Sequence, residues 1–123
     1  MKYILSIDDS VTIRTSVEFA LKPHGFSIKQ AENGADALKK ISEIRNAGDD
    51  VGLCIVDVNM PVMDGITFVK EFRKIDKFTP VLVLTTESEK SKIQEGKDAG
   101  ASGWVIKPFQ ANQLLGAVQK LIK

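Results

Sequence analysis

Short apolar runs alternate along the chain with longer stretches whose apolar residues fall at helical spacing. The runs Tyr3-Ile4-Leu5-Ser6-Ile7, Leu53-Cys54-Ile55-Val56 and Val81-Leu82-Val83-Leu84 are almost continuously apolar instead of alternating with polar residues. That pattern predicts strands buried on both faces, as in a parallel sheet covered by helices on each side. Trp104-Val105-Ile106 predicts a further strand, and Phe26 to Ala31 a weaker one. Between the runs, Ser10 is placed to cap a helix through about Leu21, which Pro23-His24-Gly25 ends. Asn33-Gly34 reads as a turn, and Leu38, Ile41 and Ile44 mark a helix over Ala35 to Ile44, followed by a surface loop from Asn46 to Asp50. Val58 to Asp64 is a loop containing Pro61. Gly65 then opens a third helix that should bury Phe68 or Val69, Phe72 and Ile75. After a polar loop from Thr86 to Lys90, a weak helix runs from about Ser91 to Ala99. Ile93 is its only large apolar residue, so it should be the least firmly held. A last helix from about Ala111 to the chain end presents Leu114, Leu115, Val118, Leu121 and Ile122 to the core.

Five strand–helix alternations with right-handed crossovers predict an α/β fold, a doubly wound five-stranded parallel sheet of (βα)5 form. In such sheets ligand chemistry belongs at the carboxyl ends of the strands, beside the switch in strand order. Asp8-Asp9, Asp57, Thr85 and Lys107-Pro108 all stand at the ends of strand-like runs. One sheet edge would then carry three carboxylates, a hydroxyl and an ammonium. Mutual repulsion makes such a cluster unfavourable unless a divalent cation and the lysine offset it.

Composition changes this picture little. The 123 residues fit one domain, 1–123, and 43% hydrophobic residues supply a core. A formal net charge of +1 gives no bulk drive toward nucleic acid or a membrane, so the acid cluster is a local arrangement. Cys54 is alone, cannot form an internal disulfide, and reads as a small buried apolar residue; a reducing, cytoplasmic setting is expected. No apolar stretch is long enough to span a bilayer, and the first residues become charged too soon for a signal peptide. His24 reads as an exposed turn residue, and Met60 and Met63 as loop packing. With no linker or repeat, the output is expected to be a surface of the same domain.

The cluster suits phosphoryl chemistry. Mg²⁺ takes an octahedron of oxygens and retains several waters, and Asp8, Asp9 and Asp57 offer carboxylates to it. A carboxylate beside such a metal can attack phosphorus and form an acyl phosphate. Charge on the equatorial oxygens must then be neutralised. The Lys107 ammonium, a mobile point charge, and the Thr85 hydroxyl with nearby backbone N–H groups are the candidates. A cis Lys107-Pro108 bond is compatible with this strand end.

At these residues the chain resembles the receiver domains of bacterial response regulators, and among them single-domain chemotaxis regulators of the CheY type. The motifs are Ile7-Asp8-Asp9-Ser10, Val56-Asp57-Val58-Asn59-Met60-Pro61 with Met63-Asp64-Gly65, Leu84-Thr85-Thr86, Gly100-Ala101-Ser102-Gly103 and Lys107-Pro108-Phe109. Five such motifs in order, spread over essentially the whole chain, make the resemblance specific. It implies a flavodoxin-like strand order 2-1-3-4-5, the order for which flavodoxin and CheY are themselves the standard examples. It implies Asp57 as phospho-acceptor and a histidine kinase of the CheA type as donor. Mg²⁺, or Mn²⁺ in its place, would be held by Asp9, Asp57 and the backbone carbonyl of Asn59, with Asp8 binding directly or through water. Lys107 would contact the phosphoryl group, Thr85 would move toward it, and Trp104 would turn inward behind Thr85. Asn59 and Glu87, two residues beyond Asp57 and Thr85, take the positions that tune acyl-phosphate lifetime. Trp104 departs from the usual Tyr or Phe: indole is larger and only donates a hydrogen bond, which puts the aromatic half of the switch in question.

The resemblance further implies a partner surface formed by the fourth helix, fifth strand and fifth helix. Ile93, Lys97, Trp104, Ile106 and Phe109 are its candidates, and an exposed Ile93 on a polar helix suits docking. The expected role is a monomeric signalling receiver, not a turnover enzyme, that catalyses only its own phosphorylation and dephosphorylation. The expected target is a flagellar motor switch protein, with a phosphatase as a further partner. The alternative is a relay shuttle or phosphate sink that exchanges with a phosphotransfer domain. An aspartyl-intermediate phosphatase would need a second acid where Asn59 stands. A flavin module would need a glycine- and hydroxyl-rich loop where Asp8-Asp9 would repel phosphate.

Overall fold

The computed structural model describes residues 1–86 and 89–122. Five parallel strands, β1 (Lys2–Ile7), β2 (Ile28–Ala31), β3 (Asp50–Asp57), β4 (Val81–Thr86) and β5 (Gly103–Lys107), lie in the order β2-β1-β3-β4-β5. The helices α1 (Val11–Leu21), α2 (Gly34–Asn46), α3 (Gly65–Ile75), α4 (Lys92–Ala99) and α5 (Ala111–Leu121) alternate with them, and a short 3-10 turn spans Lys22–His24. Among the described residues no helix is long and apolar enough to cross a membrane.

The near-continuous apolar runs are strands whose two faces serve two core layers. Leu5, Ile7, Cys54, Val56, Val81 and Val83 point to one side, where Ile41, Phe68, Val69 and Phe72 of α2 and α3 cover them. Ile4, Leu53, Ile55, Leu82 and Leu84 point to the other, against Val17 and Leu21 of α1 and Leu114 and Val118 of α5. Val51 and Leu53 would share a face in a regular strand, yet they belong to opposite layers. A register shift opposite Tyr3/Ile4 leaves Gly52 as the extra residue and turns the strand over. Cys54 is fully buried, and burial pushes its thiol up to about 12, so it is an inert packing residue.

Several boundaries differ from the sequence expectation. Asn33-Gly34 is a helix start and not a turn: the Asn33 side chain accepts the Asp36 N–H at 2.9 Å, and α2 begins at Gly34. β2 starts at Ile28, two residues after the expected Phe26. Ser10 caps α1 as expected, accepting the Ile13 N–H at 3.3 Å. Asp64 caps α3 through the Thr67 N–H at 2.8 Å. On α3 both Phe68 and Val69 are buried with Phe72, but Ile75 is 63% exposed. Asp76 accepts the N–H groups of Phe78 and Thr79 and turns the chain off the helix, so Ile75 lies past the last turn that faces the sheet. Gly96 is the only buried residue of α4 among those described, in keeping with a weakly held helix.

Candidate functional site

Parallel register sets the geometry of the carboxyl edge. Ile7 pairs with Val56, Asp57 with Leu84, and Thr86 with Lys107. Asp8 is therefore carried one residue beyond the β1–β3 ladder, next to Asp57, and Lys107 ends β5. The Asp8 N–H still donates to the Ala31 carbonyl at 3.0 Å, and the Val58 N–H to the Leu84 carbonyl at 3.1 Å, so the strand ends stay locked as they leave the sheet.

Asp8, Asp9 and Asp57 come together: each offers a carboxylate oxygen, and these oxygens all lie within 4.8 Å of one another. Asp8 and Asp57 are buried at 2% and 4% exposure, while Asp9 is exposed, which leaves a path from solvent to an otherwise enclosed acid pair. Lys107 Nζ donates to Asp57 Oδ1 at 2.8 Å. The Lys107-Pro108 peptide bond is cis. Thr85 is fully buried, and its hydroxyl donates to the Thr86 carbonyl at 3.2 Å.

One ammonium shared by several acids does not neutralise them. Burial pushes the Asp57 carboxyl above its ordinary value; the hydrogen bond and field of Lys107 oppose this, while Glu89 and Asp9 add to it. For Lys107, burial works against the charge, but the bond to Asp57 and the fields of Asp57, Asp8 and Glu89 outweigh it and hold the ammonium above its usual range. Asp8 is pushed up to about 6, first by burial and further by Asp57, although it accepts the Ser10 N–H and feels Lys107. Its other oxygen, Oδ2, is buried with no hydrogen-bond partner. A buried carboxylate oxygen without a hydrogen-bond partner, on a residue whose carboxylate gathers with two others, belongs to the kind of donor set that a hard, oxygen-seeking divalent cation completes, so these residues fit Mg²⁺.

Asp8 therefore makes metal-free stability depend on pH. Between about pH 4 and about pH 6 the native state retains the Asp8 proton and the unfolded chain releases it. The native state binds more protons in that window, so stability falls as pH rises through it. Asp8→Asn keeps an acceptor for the Ser10 N–H and removes the charge. In chelator at pH 7 it is expected to be more stable than the native protein by about 2 kcal/mol, and to lose most of the stabilisation Mg²⁺ gives the native chain. Urea denaturation with chelator and with Mg²⁺ measures both.

Four residues that the sequence did not assign to the acid cluster contribute to it, two of them, Ser10 and Gly65, read there only as helix-start and motif residues. Arg14 of α1 donates to the backbone carbonyl of Asp8 and, through Nε, to Gln30 Oε1 at 2.8 Å, fixing the chain where it leaves β1. The Ser10 N–H holds Asp8 Oδ1 at 2.9 Å. Gly65 packs so closely that a Cβ there would lie 2.1 Å from the Asp57 carbonyl oxygen. Glu89 accepts from Asn59 Nδ2 and from the Thr86 N–H at 3.1 Å. Glu89 carries a weak sequence signal, an acid close after the Thr85 strand end; Ser10 and Gly65 lie inside the motifs that carry Asp8 and Asp57, and only Arg14 depends on a distant partner, Gln30. Glu87, the expected companion of Asn59, lies outside the described residues.

The residues expected on a partner face lie on α4, on β5 and just after β5, with Ile106 paired to Thr85 beside Lys107. Trp104 is 42% exposed, with Lys97 Nζ 4.3 Å from its ring centroid, so α4 and β5 are joined through a cation–π contact. Ile93 is half-buried, not exposed as expected; Ile106 is also half-buried, and Phe109 packs partly against the second core layer.

A doubly wound sheet in this order, with a lysine-paired aspartate and two neighbouring carboxylates at its carboxyl edge, defines a small α/β domain built around one acid cluster. Residues 4–119 match the response regulator receiver domain, and the chain belongs to that family: it is the receiver domain of a CheY-like response regulator in two-component signalling. It is similar to the chemotaxis protein CheY of Bacillus subtilis (strain 168), 34% identical over 120 residues, which cover 97% of this chain and 96% of that protein. It is equally similar, at 34%, to the transcriptional regulatory protein PrrA of Mycobacterium tuberculosis, but spans only 49% of that protein's length. Among solved structures, the chemotaxis protein CheY4 of Vibrio cholerae superimposes with a TM-score of 0.88 at 43% identity, covering 99% of each chain. Receiver domains typically bind Mg²⁺ at an acidic pocket, and Asp8, Asp9 and Asp57 form one here.

Proposed function

We propose that this chain is a stand-alone receiver that accepts a phosphoryl group on Asp57 from the phosphohistidine of a histidine kinase. The observation that carries the reading is the Lys107–Asp57 pair, 2.8 Å apart, inside the acid trio. An Asp57 carboxylate oxygen attacks phosphorus in line, the P–N bond breaks, and the departing imidazole takes up a proton. Asp8, Asp9, Asp57 and the Asn59 carbonyl would hold Mg²⁺, which supplies charge neutralisation on a phosphoryl oxygen. Lys107, already at the attacking carboxylate, can follow the developing charge on a second oxygen, and the Thr85 hydroxyl with the backbone N–H groups of the strand ends serves the third. Water then attacks phosphorus, the acyl P–O bond breaks, and the Asp57 carboxylate returns with inorganic phosphate. The protein consumes its own phosphoryl group in this way and turns over no other substrate.

Phosphorylation would bias a two-state arrangement of Thr85, Trp104 and α4 and so alter the α4–β5–α5 face. Chemotaxis is the favoured setting, with a flagellar motor switch protein as target and the cytoplasm as compartment, because the match to B. subtilis CheY runs over nearly the full length of both proteins. Native protein given acetyl phosphate and Mg²⁺ is expected to gain one base-labile phosphate by intact mass, with a concurrent change in the fluorescence of Trp104, its only tryptophan. A chain that stays unmodified with donor and metal in excess refutes the proposal.

A further inference from the structure

We propose that Glu89 is a positioning residue for phosphotransfer, an internal carboxylate seated on hydrogen-bond donors that an incoming phosphoryl group needs. This rests on Asp57 as phospho-acceptor. Glu89 lies four residues beyond Thr85 and is half-buried. Its Oε1 accepts from both the backbone N–H and the hydroxyl of Thr86, at 3.1 and 2.9 Å. Its Oε2 accepts from Asn59 Nδ2. One carboxylate thereby ties the end of β4 to the loop that follows Asp57. The charge of Glu89 also acts on both Asp57 and Lys107, so it stands within the field of the reacting pair.

A carboxylate on a backbone N–H, a hydroxyl and an amide offers two oxygens where a phosphoryl group would offer three. Phosphorylation of Asp57 adds negative charge and three strong acceptors beside it. The two anions cannot share the Thr86 donors at close range, so the phosphoryl group displaces Glu89 as it forms. Glu89 stands three residues before α4, whose only described buried residue is Gly96. Its release therefore frees the entry to the most weakly held helix, next to Lys97 and Trp104. The latch slows phosphorylation by repulsion and gives the phosphorylated state a specific contact to break.

The test compares Glu89→Gln, which keeps the shape and an accepting oxygen but loses the charge, with Glu89→Ala, which loses both. Glu95→Gln on α4 is the control for a charge change elsewhere. Initial rates of Asp57 labelling by acetyl phosphate with Mg²⁺ are followed by intact mass at low and high ionic strength, with thermal melting to report any loss of fold. Both Glu89 variants are expected to label about fivefold faster than native at low salt, with the advantage shrinking at high salt as the repulsion is screened. Native rates in both variants, a gain shared by Glu95→Gln, or a gain indifferent to salt would each overturn the latch. Labelling of the native chain with unresponsive Glu89 variants removes the latch alone. A native chain that takes no label removes the phospho-acceptor reading and the latch with it.

Discussion

Asp57→Asn protein is expected to take up no phosphate from acetyl phosphate and Mg²⁺, with labelling reduced to background, while it folds as the native chain does. The amide lacks the anionic oxygen that must attack phosphorus, and no neighbour replaces it. Asp9 is exposed, and the 2.8 Å lysine contact is made to Asp57 and not to Asp8 or Asp9. The Trp104 fluorescence response to donor should vanish in the variant, while a weaker response to Mg²⁺ alone survives on Asp8 and Asp9. Lys107→Ala separates acceptance from signalling. It leaves the nucleophile in place, so the chain should still be phosphorylated, yet the Trp104 response should be small because no ammonium follows the new charge to the end of β5. A donor response in Asp57→Asn equal to that of the native chain would move the acceptor to another residue.

Gly65→Ala is expected to be the most destabilising small substitution near the site, by about 3 kcal/mol or more. A Cβ at this position would sit 2.1 Å from the Asp57 carbonyl oxygen, 2.9 Å from its carbon and 3.1 Å from Val58 Cα. All three are backbone atoms of the strand end, held by the Gly65 N–H to Val58 carbonyl bond at 2.9 Å and the Val58 N–H to Leu84 carbonyl bond, so none can yield as a flexible side chain would. Relief requires moving either the start of α3 or Asp57 itself, and a displaced Asp57 should also label slowly. Gly116→Ala is the control. It lies within α5, where a Cβ meets nothing within 4 Å, and it should stabilise by about 0.5–1 kcal/mol through helix propensity. Urea denaturation of the pair, with labelling rates alongside, checks both effects. Equal stability of Gly65→Ala and native protein would show that the strand end gives way more easily than its hydrogen bonds imply.

Much of the site was legible because parallel sheets turn linear pattern into position. Once Tyr3–Ile7, Leu53–Val56 and Val81–Leu84 are read as strands buried on both faces, the polar residues that follow them must converge, and Asp8, Asp9, Asp57 and Lys107 do. Helix ends were harder. Asn33-Gly34 carries the same residue types in a turn as at a helix cap, and only the Asp36 N–H on the Asn33 side chain distinguishes them. Ile75 sits at correct helical spacing from Phe72, yet Asp76 turns the chain away before that last turn meets the sheet. Ile93 looked stranded on a polar helix, but the way α4 lies leaves it half-buried.

The order of apolar and polar positions alone determined the elements, their alternation, the parallel sheet and the edge on which the acids gather, because burial on two faces forces continuous apolar strands and strand ends carry the chemistry. Tertiary structure alone decided what each acid experiences. Asp8 is raised to about 6 by burial and Asp57, its Oδ2 is left without a partner, Lys107 is committed to Asp57, and Glu89 is placed on Thr86 and Asn59. Desolvation, hydrogen bonding and charge–charge fields depend on distances between residues far apart in the chain, and those distances exist only once the strands have paired.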